Sequence, residues 1–315
     1  MIEKHRLEAI HSRFNWLEKR IVLVTGKGGV GRTTMTASMA RAAAQYGRKV
    51  LVCAIGEPEG DYSPLARLYG RENLPLEITT LELGVEGCLL WSRSGHRLFL
   101  EKVLPLPTMV RAGMRSKSLG RLLDAAPSFN EMGVFYNLLS LIAQKDSDGE
   151  PTYDLVLVDM PATGHSLALT GLPDILLRLM PTGPIADLLR EGQHYLNNPE
   201  ISVACVVTLP ETLPVTECLE LIDGLRVSRM PVGSIVVNKV VDDRFNEAER
   251  QALTKAIDGK PYFGSTRFLA MAQIERSIQR LEQYGGVPMV KVPEFAQVGD
   301  SLIDAVTASL QPEGT

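Results

Sequence analysis

The apolar run Ile21-Val22-Leu23-Val24-Thr25 passes directly into Gly26-Lys27-Gly28-Gly29-Val30-Gly31-Arg32-Thr33-Thr34, and a helix-patterned segment follows to about Tyr46. No other feature constrains the chain as tightly. A buried strand that ends in a glycine-rich turn and opens a helix is the layout of a phosphate-binding loop. The glycines admit turns closed to residues with a Cβ and bring backbone N–H groups onto phosphate oxygens. The helix starting there adds unpaired amides and the positive end of its dipole. Thr33 is placed to coordinate Mg²⁺ through its hydroxyl, and Thr34 to reach the α-phosphate. Against the pattern G-x-x-x-x-G-K-[ST], every position agrees except the lysine, which here is Arg32.

A second run, Tyr153-Asp154-Leu155-Val156-Leu157-Val158-Asp159, reads as a buried parallel strand ending in a carboxylate. Asp159 is thereby placed as the aspartate that holds Mg²⁺ through water. The chain continues Met160-Pro161-Ala162-Thr163-Gly164-His165.

Lys27, one residue after the first glycine, resembles the deviant Walker A class of ATPases, in which the early lysine reaches across a dimer interface to the partner's nucleotide. Asp159-x-Pro161-Ala162-Thr163-Gly164-His165 resembles switch II of bacterial members of the arsenite-transporting and tail-anchored-protein-targeting ATPase family. Later segments agree with that resemblance. Val203 to Thr208, then Leu209 to Glu217, is similar to the family's strand-Thr-x-Pro-Glu-x-x-x-x-x-Glu stretch. Ile235-Val236-Val237-Asn238-Lys239 resembles the strand whose terminal asparagine reads the adenine edge. Val287 to Val292, with Pro293-Glu294, is similar to the last strand and the adenine-side loop.

The resemblance spans roughly residues 19 to 310 and is weakest from about 60 to 150. It implies ATP or ADP with Mg²⁺ as ligands and Lys27, Arg32 and Asp159 as catalytic groups. The cofactor-binding set is Gly26 through Thr34 with Asn238 and Pro293; Thr33 and Asp159 are the metal ligands. Family members commonly carry an Asp-Pro after the second strand to position the attacking water. Here Glu57 before Pro58 is the best equivalent, Asp61 the second candidate, and a plain acidic loop a third reading.

Strand patterns near 21–25, 49–54, 153–159, 203–208, 233–238 and 287–292, with helices between them, predict an α/β fold. The sheet should be mostly parallel, with helices on both faces, as in P-loop NTPases. Nucleotide would then bind at the carboxyl ends of the strands. Residues 1–18 read as a helical extension packed on its own domain or serving as a docking arm. Residues 19–315 read as one ATPase domain with a helical insertion at about 92–150. In that insertion, Met132-Phe135-Leu138-Leu139-Ile142 has helical spacing. Its helices read either as ordinary core or as a client or partner groove lined by Met109, Met114 and Met132.

A net charge of -4 and a pI near 5.8 argue against a nucleic-acid-binding surface. The cluster Arg111, Arg115, Lys117 and Arg121 reads as a solvated helix face. Cys53, Cys88, Cys205 and Cys218 include no pair at metal-ligand spacing. No segment has the about 18 unbroken apolar residues that span a bilayer, and no signal-peptide core is seen, so a cytoplasmic protein is expected. Two functions remain open at this point: a dimeric ATPase switch, and a hydrolysis-deficient nucleotide-binding regulatory subunit paired with a competent paralogue.

Overall fold

The computed structural model describes residues 15–58, 63–103, 108, 110, 127–161, 163–179, 181–241, 245–257 and 264–311. Its centre is an eight-stranded sheet in the order β3-β4-β2-β5-β1-β6-β7-β8. These strands are β1 (Ile21–Gly26), β2 (Val50–Ile55), β3 (Thr79–Glu82), β4 (Val85–Leu90), β5 (Leu155–Asp159), β6 (Ser202–Thr208), β7 (Val232–Val240) and β8 (Met289–Pro293). Only β3 runs antiparallel to its neighbour. From β1 the chain crosses to β2 on one side, and from β5 it crosses back to β6 on the other, so the strand order reverses at β1. Ligands of doubly wound sheets bind outside the strand ends at such a point.

Alternate residues of each central strand face opposite layers, as the two-residue period of a strand requires. Val22, Val24, Val50, Val52, Leu155 and Leu157 join the core beneath the helices Arg32–Gln45 and Asp300–Ser309. Ile21, Leu23, Leu51, Val156 and Val158 join the other core, beneath Pro127–Ile142, Thr212–Val227 and Ser265–Tyr284. Both faces are covered, which is why these strands are uninterrupted apolar runs. Asp159 continues the phase of Leu155 and Leu157 and so leaves the sheet on the side of the helix Arg32–Gln45.

One sequence expectation is corrected here. The stretch between β2 and β5 was expected to be helical, yet it holds the hairpin β3–β4, with β4 inserted parallel to β2. Glu86 and Gly87 interrupt the apolar run of β4, and β3 is half exposed, so neither carries the continuous signal of a buried strand. Arg41 ties this edge to the end of the chain, binding Glu82 at 2.6 Å and Asp300 and Asp304 at 2.7 Å each. Of the N-terminal extension, only the last residues are described. Its described tip, Asn15–Glu18, is a 3₁₀ turn, and Trp16 and Leu17 are buried in the main core. Residues 1–14 lie outside the described set.

Within 92–150, Ser92–Val103 and Pro127–Ile142 are helices. Phe135, Leu138, Leu139 and Ile142 are buried against the sheet, and Met132 is buried as well. This part of the insertion is core. Met109, Met114, Arg111, Arg115, Lys117 and Arg121 lie outside the described residues. Among the described residues, no helix is long and apolar enough to cross a membrane.

Candidate functional site

β1 ends at Gly26, whose φ is +151° and whose neighbour on β6 leaves no room for a side chain; a Cβ there would stand 2.2 Å from the Val207 carbonyl oxygen. The loop then runs outward through Lys27, Gly28 and Gly29, all exposed, and returns inward at buried Val30. Nothing lies within 4 Å of where a Cβ of Gly28 or Gly29 would be, so this face of the loop is open. Gly31 has φ +96° and precedes the helix Arg32–Gln45, whose first residues are Arg32, Thr33 and Thr34. Strand, open glycine turn and helix N-terminus are therefore assembled as an anion site requires.

β5 delivers Asp159 beside this helix start, with Val24 of β1 directly across the ladder. Thr33, in the first turn of that helix, and Asp159 line one cavity. Burial pushes the Asp159 carboxyl up to about 6, while the Thr33 hydroxyl and the nearby Arg32 charge pull it down. A hydroxyl and a carboxylate held together are hard oxygen donors, and they fit a magnesium ion.

The Arg32 guanidinium donates to the Met160 carbonyl oxygen at 2.6 Å, one residue beyond Asp159. Burial lowers its pKa and the Asp159 charge opposes that shift; arginine remains cationic throughout. The arginine thus spans from the loop to the chain leaving β5.

A cavity of about 220 Å³ opens at the carboxyl ends of β2 and β5, lined by Arg32, Thr33, Glu57, Asp159, Met160 and Pro161 among others. Glu57 is brought to the same cavity as Thr33 and Asp159. Asp61, its competitor, lies outside the described residues. Ser63 and Asn73 also line the cavity, and the sequence reading missed both. Ser63 carried a legible signal, since it accepts from Ala66 N as the N-cap of a helix that begins with Pro64.

Lys27 is paired within its own chain, Nζ to Glu217 Oε1 at 2.8 Å. Asn238 is buried at the end of β7 and contacts the loop: Nδ2 donates to the Val30 carbonyl oxygen at 2.9 Å. Pro293 ends β8 beside Val240 and is exposed. In the segment after Asp159, Thr163 begins the helix Thr163–Leu179. Ala162 and the side chains of Thr163, Gly164 and His165 are outside the described set. All four cysteines are buried free thiols, with Cys53 Sγ and Cys88 Sγ 3.9 Å apart. Among the described residues, no group of three or more His, Cys, Asp or Glu side chains converges to hold a metal ion.

Residues 21–283 match the family described as the CobQ/CobB/MinD/ParA nucleotide binding domain. The chain belongs to this family. It is similar to ATPase BagA of Mycobacterium tuberculosis, 30% identical over 253 residues that cover 79% of this chain and 72% of that protein. It is also similar to ATPase GET3 of Debaryomyces hansenii, 24% identical over 271 residues, covering 75% of this chain and 76% of the relative. A protein of Aquifex aeolicus provisionally named arsenical pump-driving ATPase 2 is 24% identical over 317 residues, covering 89% of this chain and all of that one. These relatives place the chain in the arsenite-transporting and targeting ATPase branch that its motifs resemble.

Proposed function

We propose that this protein is a magnesium-dependent, adenine-nucleotide-binding ATPase switch that acts as a dimer in the cytoplasm, with a paralogue or a second copy as its partner. The observation that carries the reading is that Thr33 and Asp159 line one cavity at the N-terminus of the helix that follows an open glycine loop.

In this reading, Gly26 to Thr34 surround the phosphate chain and supply backbone N–H donors. Thr33 and, through water, Asp159 would hold the magnesium ion, whose charge neutralises the β- and γ-phosphate oxygens. Glu57, in the same cavity, orients the water for in-line attack. Lys27 leaves Glu217 and completes the partner's phosphate shell. The strand end at Asp159 leads into the helix Thr163–Leu179, so displacement there passes on to the helices of the insertion, where a protein client would be engaged.

Arg32 sets the rate. A guanidinium is a broad planar fork and cannot occupy the narrow place of a lysine ammonium between β- and γ-phosphates. Its engagement with Met160 also directs it toward the chain after β5. Ground-state binding survives such a change better than transition-state stabilisation does. Loss of one well-aimed electrostatic donor costs on the order of 10²–10³ in turnover.

The test is phosphate release from ATP by the wild type and Arg32→Lys. Slow wild-type release that rises at least tenfold in Arg32→Lys supports an ATPase throttled at this position. Release undetectable in both favours the regulatory-subunit reading. Fast wild-type release that falls on restoring lysine shows that the loop has adapted around arginine.

A further inference from the structure

We propose that Asn238 is a positioning residue of the phosphate loop: its side-chain amide holds the Val30–Gly31 peptide in the shape that receives phosphate, in addition to any contact with a base. This rests on the reading of Gly26–Thr34 as a phosphate site.

The amide is committed on both sides. Nδ2 donates to the Val30 carbonyl oxygen at 2.9 Å, and Oδ1 accepts from the Lys239 backbone N–H at 2.9 Å. Exchanging the amide nitrogen and oxygen would set oxygen against the Val30 carbonyl and NH₂ against the Lys239 N–H, so the two contacts together fix the orientation. Lys239 itself has φ +56°. A side-chain-bearing residue held in that region is locally strained, and such strain persists only where surrounding structure imposes it. Here the irregularity in β7 brings the Lys239 N–H back onto Oδ1, and the β7–β8 register shifts at the same place.

On the loop side, Gly31 stands against the same amide. Its φ is +96°, and a Cβ on it would lie 2.3 Å from Asn238 Nδ2. Side chain and loop backbone are therefore fitted to each other without space for a methyl group. In a trans peptide the C=O and the following N–H point in opposite directions. Fixing the Val30 carbonyl on Asn238 consequently fixes the direction of the Gly31 N–H, one of the donors the loop offers. Val30 is almost fully buried, so its carbonyl has little access to water as a replacement partner.

A residue that only read the base would matter to the nucleoside end of the ligand alone. A residue that shapes the loop matters to the phosphates whether or not a base is attached. Calorimetric titration with magnesium tripolyphosphate, beside magnesium ATP, separates the two. Asn238→Ala should weaken tripolyphosphate binding about tenfold and ATP binding by at least as much. Asn238→Asp keeps the acceptor for Lys239 but sets a carboxylate against the Val30 carbonyl, so it should lose at least as much tripolyphosphate affinity as Asn238→Ala. Hydrogen exchange at residues 27–32 should quicken in both ligand-free variants while the rest of the sheet stays protected. Unchanged tripolyphosphate affinity with reduced ATP affinity would overturn the proposal and leave Asn238 as a base reader. Wild-type protein that binds neither ligand would refute the phosphate-site reading itself, and this inference with it.

Discussion

Lys27 and Glu217 form an ion pair inside one chain, 2.8 Å from Nζ to Oε1, joining the open turn of the phosphate loop to the helix Thr212–Val227. The lysine side chain is 48% exposed and the glutamate 20%, so the pair is open to solvent at its lysine end and is worth on the order of 1 kcal/mol. That is strong enough to bias where the lysine points and weak enough to be given up when a partner's phosphates approach.

The consequence is measurable as association. Lys27→Ala should leave nucleotide binding by the monomer nearly intact and weaken the closed dimer. Glu217→Gln should release the lysine and favour nucleotide-dependent association by roughly two- to fivefold. Sedimentation velocity in ATP with magnesium reads both. A wild type that remains monomeric, alone and with any adjacent paralogue, would remove the dimer from the account.

Asp159 gives a pH signature of opposite sign for stability and for function. Its folded pKa of about 6 lies above the unfolded value of about 3.9. Between those values the folded protein binds more protons than the unfolded one, so this group's contribution to stability falls as pH rises through the window and stays low above it. Asp159→Asn should therefore raise the melting temperature of the ligand-free protein by about 2–4 °C at pH 8, with the gain gone below about pH 4. The same variant should lose magnesium-dependent nucleotide binding. In the wild type, only about a tenth of Asp159 is ionised at pH 5, so magnesium ATP should bind about tenfold more weakly there than at pH 7.5. A ligand-free melting temperature for Asp159→Asn that never exceeds the wild type would show that the carboxylate is not held at a cost.

Much of this was legible in the sequence, and the parts that were not share one property. β1, β2 and β5 through β7 are buried on both faces, so their apolar runs announce them, while the edge strand β8 shows itself by alternating buried Val290 and Val292 with exposed Lys291 and Pro293. The glycine turn and the carboxylate ending β5 are local patterns with fixed neighbours. The hairpin β3–β4 was missed because Thr79–Glu82 is an edge strand half in water, without the apolar run that marks a buried one. Within the site, the missed relationships are contacts between distant residues. Arg32 meets Met160 across 128 positions, and Asn238 meets Val30 across 208. No local periodicity encodes such pairings; they follow from β5 and β7 lying within two strands of β1 in the sheet. Asn238 shows the difference most clearly. The resemblance implies a base reader, while the fold presents an amide already engaged with the loop.

The central claim is that Gly26 to Thr34, with Thr33 and Asp159, bind an adenine nucleotide together with magnesium. Calorimetric titration of ATP into the wild-type protein, with magnesium and then with EDTA, tests it most directly, with GTP titrated in parallel. The account predicts one ATP per chain, affinity that drops at least tenfold without magnesium, and a clear preference over GTP. Folded protein that takes up no ATP, or that binds GTP equally well, would contradict it.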